Sequence, residues 1–406
     1  MSFRISLSGM NAASADLNIT SNNIANSNTT GFKESRGEFA SVYQTSAYGL
    51  ARNAIGAGVR LQQVAQQFSQ GTIENTGKAL DLAINGQGFF TMSNGGSFVY
   101  SRAGNFGTDR DGYVVNPSGH RLQVFLPNAS GTGFDTGRMS DLQLSTADAP
   151  PRPTTRTTIA TNLPGDANAP ATATFDPADP TSYNYTTSMT VYDSLGAAHS
   201  QSMYFVKTAN PNEWQVHTYI DGNAVGGPTT LQYSNMGALV APATGDVTLP
   251  TFTPPGGAAP MDITLNLSDS TQFGNSFSVS SLTQDGHSTG RLTSIEVSPE
   301  GVVQARYTNG VSTPLGQVVL TNFANPQGLQ PTGDNAWAET FESGQPRRGF
   351  GGSSEFGLVQ GGALEASNVD LTEQLVNMIT AQRNFQANAQ MISTQDQITQ
   401  TVINIR

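Results

Sequence analysis

Apolar residues recur with the same spacing at both ends of this chain. Phe3, Leu7, Met10, Leu17 and Ile24 open it, and Leu371, Leu375, Met378, Phe385 and Ile392 repeat the intervals of four, three, seven and seven residues near its end. In an α-helix these intervals place the side chains along one narrow seam, the geometry by which two helices wrap around each other. The pattern predicts a helix over 3–26 and a second over 368–404, which follows the N-cap context Ser367-Asn368-Val369-Asp370. The second helix carries a further stripe, Met391, Ile398, Val402 and Ile405. Away from its seam the first helix is Ser, Asn and Thr, with Arg4 and Asp16 as its charges. Such a helix is marginal alone and needs a packing partner. The bland reading pairs the two helices within one chain. The sharper reading packs them between chains, and the second stripe and sparse charge favour it.

From about residue 72 the period changes to two. Leu80, Leu82 and Ile84 alternate with Asp81 and Ala83, and Asp111-Gly112 separates Phe106 from Tyr113-Val114-Val115 as a hairpin turn would. The same texture returns late, from Leu292 through Leu315–Leu320, with turns at Glu300-Gly301 and Asn309-Gly310. Between these blocks lie strand candidates at Thr186–Tyr192, Ser202–Val206, Trp214–Ile220 and Ile263–Leu267. The Pro-rich stretch 149–153 and the Gly/Asp turn at 285–290 read as two necks of an inserted domain. The predicted fold class is mixed and mainly β: nested β-domains whose N- and C-terminal α-helices pair as a coiled-coil-like core.

Charge sharpens the picture. The formal net charge is −11, and residues 149–284 carry nine acidic against three basic side chains. That balance argues against a nucleic-acid backbone or an anionic membrane as partner, and places the middle of the chain in water. There is no cysteine, so disulfides and thiolate metal sites are excluded. No cleaved secretory signal is visible at the start, and no stretch approaches the roughly 20 apolar residues of a membrane span.

Candidate chemistry is thin. His120, His199, His217 and His287 lack metal-ligand spacing and read as surface histidines. Asp109-Arg110-Asp111-Gly112 hints at a calcium loop, but the first and twelfth positions would be Gly107 and Ser118, so a hairpin is preferred. Asp285-Gly286-His287-Ser288 lacks a nucleophile elbow and reads as a turn. No catalytic residue, cofactor site or metal site is identified, and an enzymatic role is not expected.

Four runs together resemble the rod and hook axial protein family of the bacterial flagellum. They are Ser21-Asn22-Asn23-Ile24-Ala25-Asn26-Ser27-Asn28-Thr29-Thr30-Gly31-Phe32-Lys33, Leu80 through Phe90 with Gly71 before it, Arg102-Ala103-Gly104-Asn105-Phe106 with Asp111-Gly112-Tyr113, and Ser367 through Asn388. Asn26, Thr30, Gly31, Phe32 and Lys33 are taken as motif residues. The length, the insertion and Val191-Tyr192-Asp193-Ser194-Leu195-Gly196 resemble the family's long members more than its short rod members. A distal rod or other axial protein is the alternative, and a secreted β-rich adhesin or hydrolase the rival from another class.

The resemblance implies a nested layout: a helical core of 1–26 with 368–406, a connecting arm of 27–70 with 356–367, a middle β-domain of 71–148 with 285–355, and an outer domain of 149–284. It also implies self-assembly into a curved, flexible tube acting as a universal joint outside the cell. The subunit would be exported through the flagellar type III apparatus, and its partners would be further copies, the distal rod, the hook cap and the hook-filament junction protein. The expected assembly interface is Phe3, Leu7, Met10, Leu17, Ile24, Leu371, Leu375, Met378, Phe385, Ile392, Ile398 and Val402. Polar residues Asn11, Asn18, Gln386, Gln390 and Gln397 are expected to approach the channel.

Overall fold

The computed structural model describes residues 2–43, 56–128, 133–144, 147–353 and 355–404. Ile405 and residues 44–55 of the expected arm therefore lie outside the described residues, as does the side chain of Val402. The chain divides into two compact units: residues 1–146 with 294–305 and 313–406, and residues 147–293 with 306–312. Among the described residues no helix is long and apolar enough to cross a membrane.

The first unit holds both helices, α1 (Ser2–Ala25) and α2 (Leu371–Asn404). α2 starts three residues later than its sequence context predicts. Asp370 Oδ1 accepts the amides of Thr372 and Glu373 at 2.8 and 3.2 Å and so caps the helix. Asn368, the other capping candidate, is engaged elsewhere: its Nδ2 donates to Gln67 O at 2.8 Å and its Oδ1 accepts the Glu34 amide at 2.8 Å.

Between the helices the chain first forms an antiparallel ribbon, β1 (Ser35–Val42) with β2 (Gly58–Gln66), bulged between Glu38 and Phe39. α1 lies on this ribbon. Ser8 Oγ accepts the Val59 amide at 3.2 Å, and Gly37 leaves room for Ile19, whose Cδ1 a Cβ there would meet at 3.0 Å. Outgoing and returning segments then pair side by side: Ile73–Asn75 with Ala363–Glu365, and Leu82–Asn85 with Leu358–Gly361. They feed what is, among the described residues, a thirteen-stranded sheet, including Phe89–Asn94, Ser97–Ser101, Arg121–Pro127 and Leu320–Asn322. Its core gathers Leu82, Ile84, Phe90, Met92, Val124, Val318 and Leu320, all nearly or fully buried. Burying one such side chain contributes about 1.5–3 kcal/mol, so alternation of apolar and small residues suffices to set each strand's inner face. Asp109 Oδ1 accepts the amides of Asp111 and Tyr113 at 2.9 and 2.8 Å, which makes that loop a hairpin turn between Gly107–Thr108 and Val114–Val115.

The second unit packs two sheets around one core. One is antiparallel and includes Tyr185–Tyr192, Ala198–Lys207, Glu213–Ile220 and Thr229–Tyr233; the other centres on Arg156–Pro164. Ile159, Leu163 and Leu265 of the second sheet meet Val191, Phe205, Trp214 and Val216 of the first. The two neck segments close on each other through bridges Ala149–Gly290 and Arg152–His287. Asp285 secures them, accepting the amides of Thr155 and Arg156 at 2.8 and 2.9 Å.

One expectation about the histidines fails here. His199 is buried, not on the surface: its Nδ1 lies 2.6 Å from Asp221 Oδ2 and its Nε2 3.4 Å from Asp193 Oδ2. His217 is half-buried and stacks on Phe175 with ring centroids 3.9 Å apart. Both sit on strands whose alternate positions face inward, and their partners come from distant turns and loops that local spacing does not reveal.

Candidate assembly interface

The two helices pair antiparallel. Asn23 Nδ2 donates to Gln374 Oε1 at 3.1 Å at one end, and Gly9 faces the Asn388 amide group at the other, where any Cβ would be 2.5 Å from Oδ1. Fourteen residues separate these points on both helices, so the pairing holds one register along its length. Glycine at position 9 is what permits that close approach.

The seam is half apolar. Met10, Leu17 and Ile24 on α1, and Met378, Phe385 and Ile392 on α2, are half-buried along it. Between them, at intervals of three and four, stand Ser6, Ala13 and Thr20 on α1 and Gln374, Ala381 and Asn388 on α2, all of them buried except the half-buried Asn388. This small and polar half escaped the reading of the sequence, which tracked large apolar residues only. Its signal was present, as a second heptad series offset from the first.

The remaining expected residues are not sheltered by the pair, although Phe3 reaches α2 beside Ala389 and Ile392. Phe3, Leu7, Leu371, Leu375 and Ile398 are exposed, and Val376, Ile379, Met391 and Ile403 join them. Leu371, Leu375, Val376 and Ile379 crowd the first turns of α2, too many large apolar side chains for a face that ends in water. The ribbon adds Phe39 and Leu61, directly paired across its strands, and Val64.

The motif residues have a different place. Asn26 Nδ2 donates to Asn22 O at 2.9 Å and ends α1, while Asn335 Nδ2 donates to Thr30 O at 3.0 Å. Gly31 has φ +67 and its amide donates to Glu365 O at 2.8 Å; a Cβ there would strike the backbone of Ala103. Phe32 is half-buried. Lys33 is fully buried, its Nζ 2.6 Å from Glu365 Oε1 and 2.7 Å from Ser69 O. Glu365 also takes Arg102 Nη1 at 3.2 Å and the Gly71 amide at 2.9 Å. Burial pushes the Lys33 ammonium below its ordinary pKa, against the pull of Glu365, and burial lowers Arg102 likewise. The cluster therefore ties four distant segments at one point: 31–33, 69–71, 102 and 365.

Family models match along the chain: "Flagella basal body rod protein" over residues 3–33, "Flagellar hook protein FlgE/F/G D1 domain" over 83–162, "Flagellar basal body protein FlaE D2 domain" over 162–287 and "Flagellar basal body rod FlgEFG protein C-terminal" over 360–405. The chain is 39% identical to the flagellar hook protein FlgE of Salmonella typhimurium over 423 residues, covering 100% of both. It is 38% identical to that of Escherichia coli K12 over 418 residues, again covering 100% of both. The crystal structure of the Helicobacter pylori flagellar hook protein FlgE2 shares the fold, with a TM-score of 0.54 at 17% identity, over 72% of this chain and 100% of that one.

Proposed function

The chain belongs to the flagellar hook protein family, a structural component of the flagellum outside the cell, and on that footing we propose that α1 and α2 form the inner wall of the hook tube. Pairing within one chain is the half-formed unit. The apolar face it leaves open on α2, Leu371, Leu375, Val376 and Ile379, is completed by neighbouring copies, as are Phe3 and Leu7 at the opposite end of the pair. That open face is the observation that carries the reading, because large side chains exposed together gain about 25 cal/mol for each Å² they bury on association.

In this reading Asn11, Asn18, Gln386, Gln390 and Gln397 are exposed polar positions that border the channel, and the acidic inserted unit is outermost. The tube bends as it turns, acting as a universal joint that passes motor torque to the filament. Its surface of Gly, Ser, Thr and acidic residues suits contacts that slide. The distal rod, the hook cap, the hook-filament junction protein and the type III export apparatus are the proposed partners, and no catalytic role is assigned.

Electron microscopy of concentrated protein tests the assignment. The full chain is expected to form tubes or helical fibres, and a variant lacking residues 1–25 to stay a soluble monomer. Normal tubes from the truncated chain would overturn the role given to the helices. Deleting 149–284 should spare polymerisation and alter curvature.

A further inference from the structure

Six asparagine or aspartate residues stand directly before a glycine: Asn85, Asn94, Asp111, Asp221, Asp285 and Asn309. In such a pair the glycine nitrogen can attack the side-chain carbonyl carbon, because no side chain hinders the five-membered ring that forms. Attack needs a glycine amide without an acceptor and a side chain free to turn. A carboxamide also carries a leaving group that an ionised carboxylate lacks, which puts the three asparagines first.

Two of those asparagines are held shut. The Gly86 amide donates to Gln70 Oε1 at 2.9 Å, and Gln70 Nε2 reaches back to Asn85 Oδ1 at 3.4 Å. Asn309 Nδ2 donates to Ser288 O at 2.7 Å, its Oδ1 accepts the Val311 amide at 3.1 Å, and the Gly310 amide donates to Tyr307 O at 3.0 Å. The aspartates are engaged as well. The Gly112 amide donates to Asp109 O and the Gly286 amide to Gln284 Oε1, while His199 and the Ser200 amide hold the Asp221 carboxylate.

Asn94 is different. It ends the strand Phe89–Asn94 and pairs with Ser97 across the two-residue turn Gly95-Gly96, whose φ angles are +59 and +107. All four residues are exposed, and a Cβ on either glycine would meet nothing within 4 Å. Ser97 Oγ donates to the Asn94 main-chain oxygen at 3.0 Å. Among the described residues, neither the Asn94 side chain nor the Gly95 amide makes a hydrogen bond. A tip of this kind moves without opening the core beneath it.

We propose that Asn94 is a site of spontaneous intramolecular modification. The Gly95 nitrogen bonds to Asn94 Cγ, the Cγ–Nδ2 bond breaks, and Nδ2 leaves as ammonia with the proton that the amide gives up. Water then opens the succinimide. Cleavage of the new N–Cγ bond gives aspartate. Cleavage of the original peptide bond gives isoaspartate, with the main chain routed through Cβ and Cγ. One water is consumed and one ammonia released. The hairpin tip thus gains a negative charge with age, and its isoaspartyl form presents a free α-carboxylate, the substrate class of protein carboxyl methyltransferases.

Peptide mapping by mass spectrometry follows the full chain through incubation in warm, mildly alkaline buffer, with isoaspartate read by enzymatic carboxyl methylation. In the folded chain Asn94 is expected to convert about tenfold faster than Asn85 or Asn309, the margin of first breaking one or two hydrogen bonds. In guanidinium chloride the three rates should converge, since each site is then a bare Asn-Gly pair. Asn94→Gln, which would need a larger ring, should remove the leading acidic species on isoelectric focusing with an unchanged circular dichroism spectrum. Equal rates in the folded chain, an Asn94 that stays intact there while the unfolded chain converts, or a leading acidic species that survives Asn94→Gln would each overturn the proposal.

Discussion

Lys33 and Glu365, 332 residues apart in sequence, meet at 2.6 Å with both side chains wholly removed from solvent. The pair stands where the segment after α1 passes the segment before α2, and Arg102 and Gly71 reach the same carboxylate. Removing one member of a buried ion pair is more destructive than never having had it, because the other charge stays desolvated.

Replacing Lys33 with Met should therefore lower the stability of the first unit by about 3 kcal/mol, the low end of the range for a broken buried pair because Arg102 still accompanies Glu365. Urea unfolding checks this. A loss under about 1 kcal/mol would mean the cluster is held by something other than its charges.

Gly31 adds a second probe of the same junction. Its φ of +67 and its contact with the Ala103 backbone leave no room for a side chain. Gly31→Ala should cost about 2 kcal/mol or more, from left-handed strain plus displaced backbone. A thermal melt unchanged from the parent would refute the close approach.

The seam makes a paired prediction. Ala381→Leu forces bulk into the small half of the helix pair and should destabilise α1 and α2 in the free subunit by about 1–3 kcal/mol. Leu371→Ala, at a position exposed in the free subunit, should change its stability by under about 0.5 kcal/mol while weakening polymerisation. Helix melting by circular dichroism and polymer yield by light scattering separate the two. Equal effects on both readouts from both variants would contradict the division between inner seam and outer face.

In the second unit two histidines set opposite pH limbs. Burial works against charging His199, but its hydrogen bonds to Asp221 and Asp193 outweigh it and raise the pKa above the ordinary 6.5. That stabilisation is complete below 6.5 and is lost as pH rises through the raised value. Burial lowers the pKa of His217, so its contribution is present above 6.5 and is lost as pH falls. For Asp193 and Asp221 burial opposes ionisation, and the hydrogen bonds they accept, with the charge of His199, still hold them below 3.8, so their stabilisation disappears only in stronger acid. The unit's unfolding midpoint should peak near pH 6.5. His199→Gln should flatten the alkaline limb and His217→Gln the acid one; an alkaline limb that survives His199→Gln would refute the assignment.

The periodic features of this protein were legible along the chain because they are local. A spacing of three and four specifies a helical face whatever lies elsewhere, and alternation specifies a strand's inner face, so both helices and the strands at 185–192, 198–207 and 213–220 follow from residues close in sequence. The run ending in Gly31-Phe32-Lys33 was recognisable as a motif, though not for what its residues do. Tertiary structure decided what those faces meet. It set the register that joins Asn23 to Gln374 and Gly9 to Asn388, and it selected a seam half made of Ala, Ser, Thr, Gln and Asn. It buried Lys33 against Glu365 and His199 between two aspartates. Those choices depend on which distant segments close together, and a buried charge is stable only where its partner arrives, which no local period encodes.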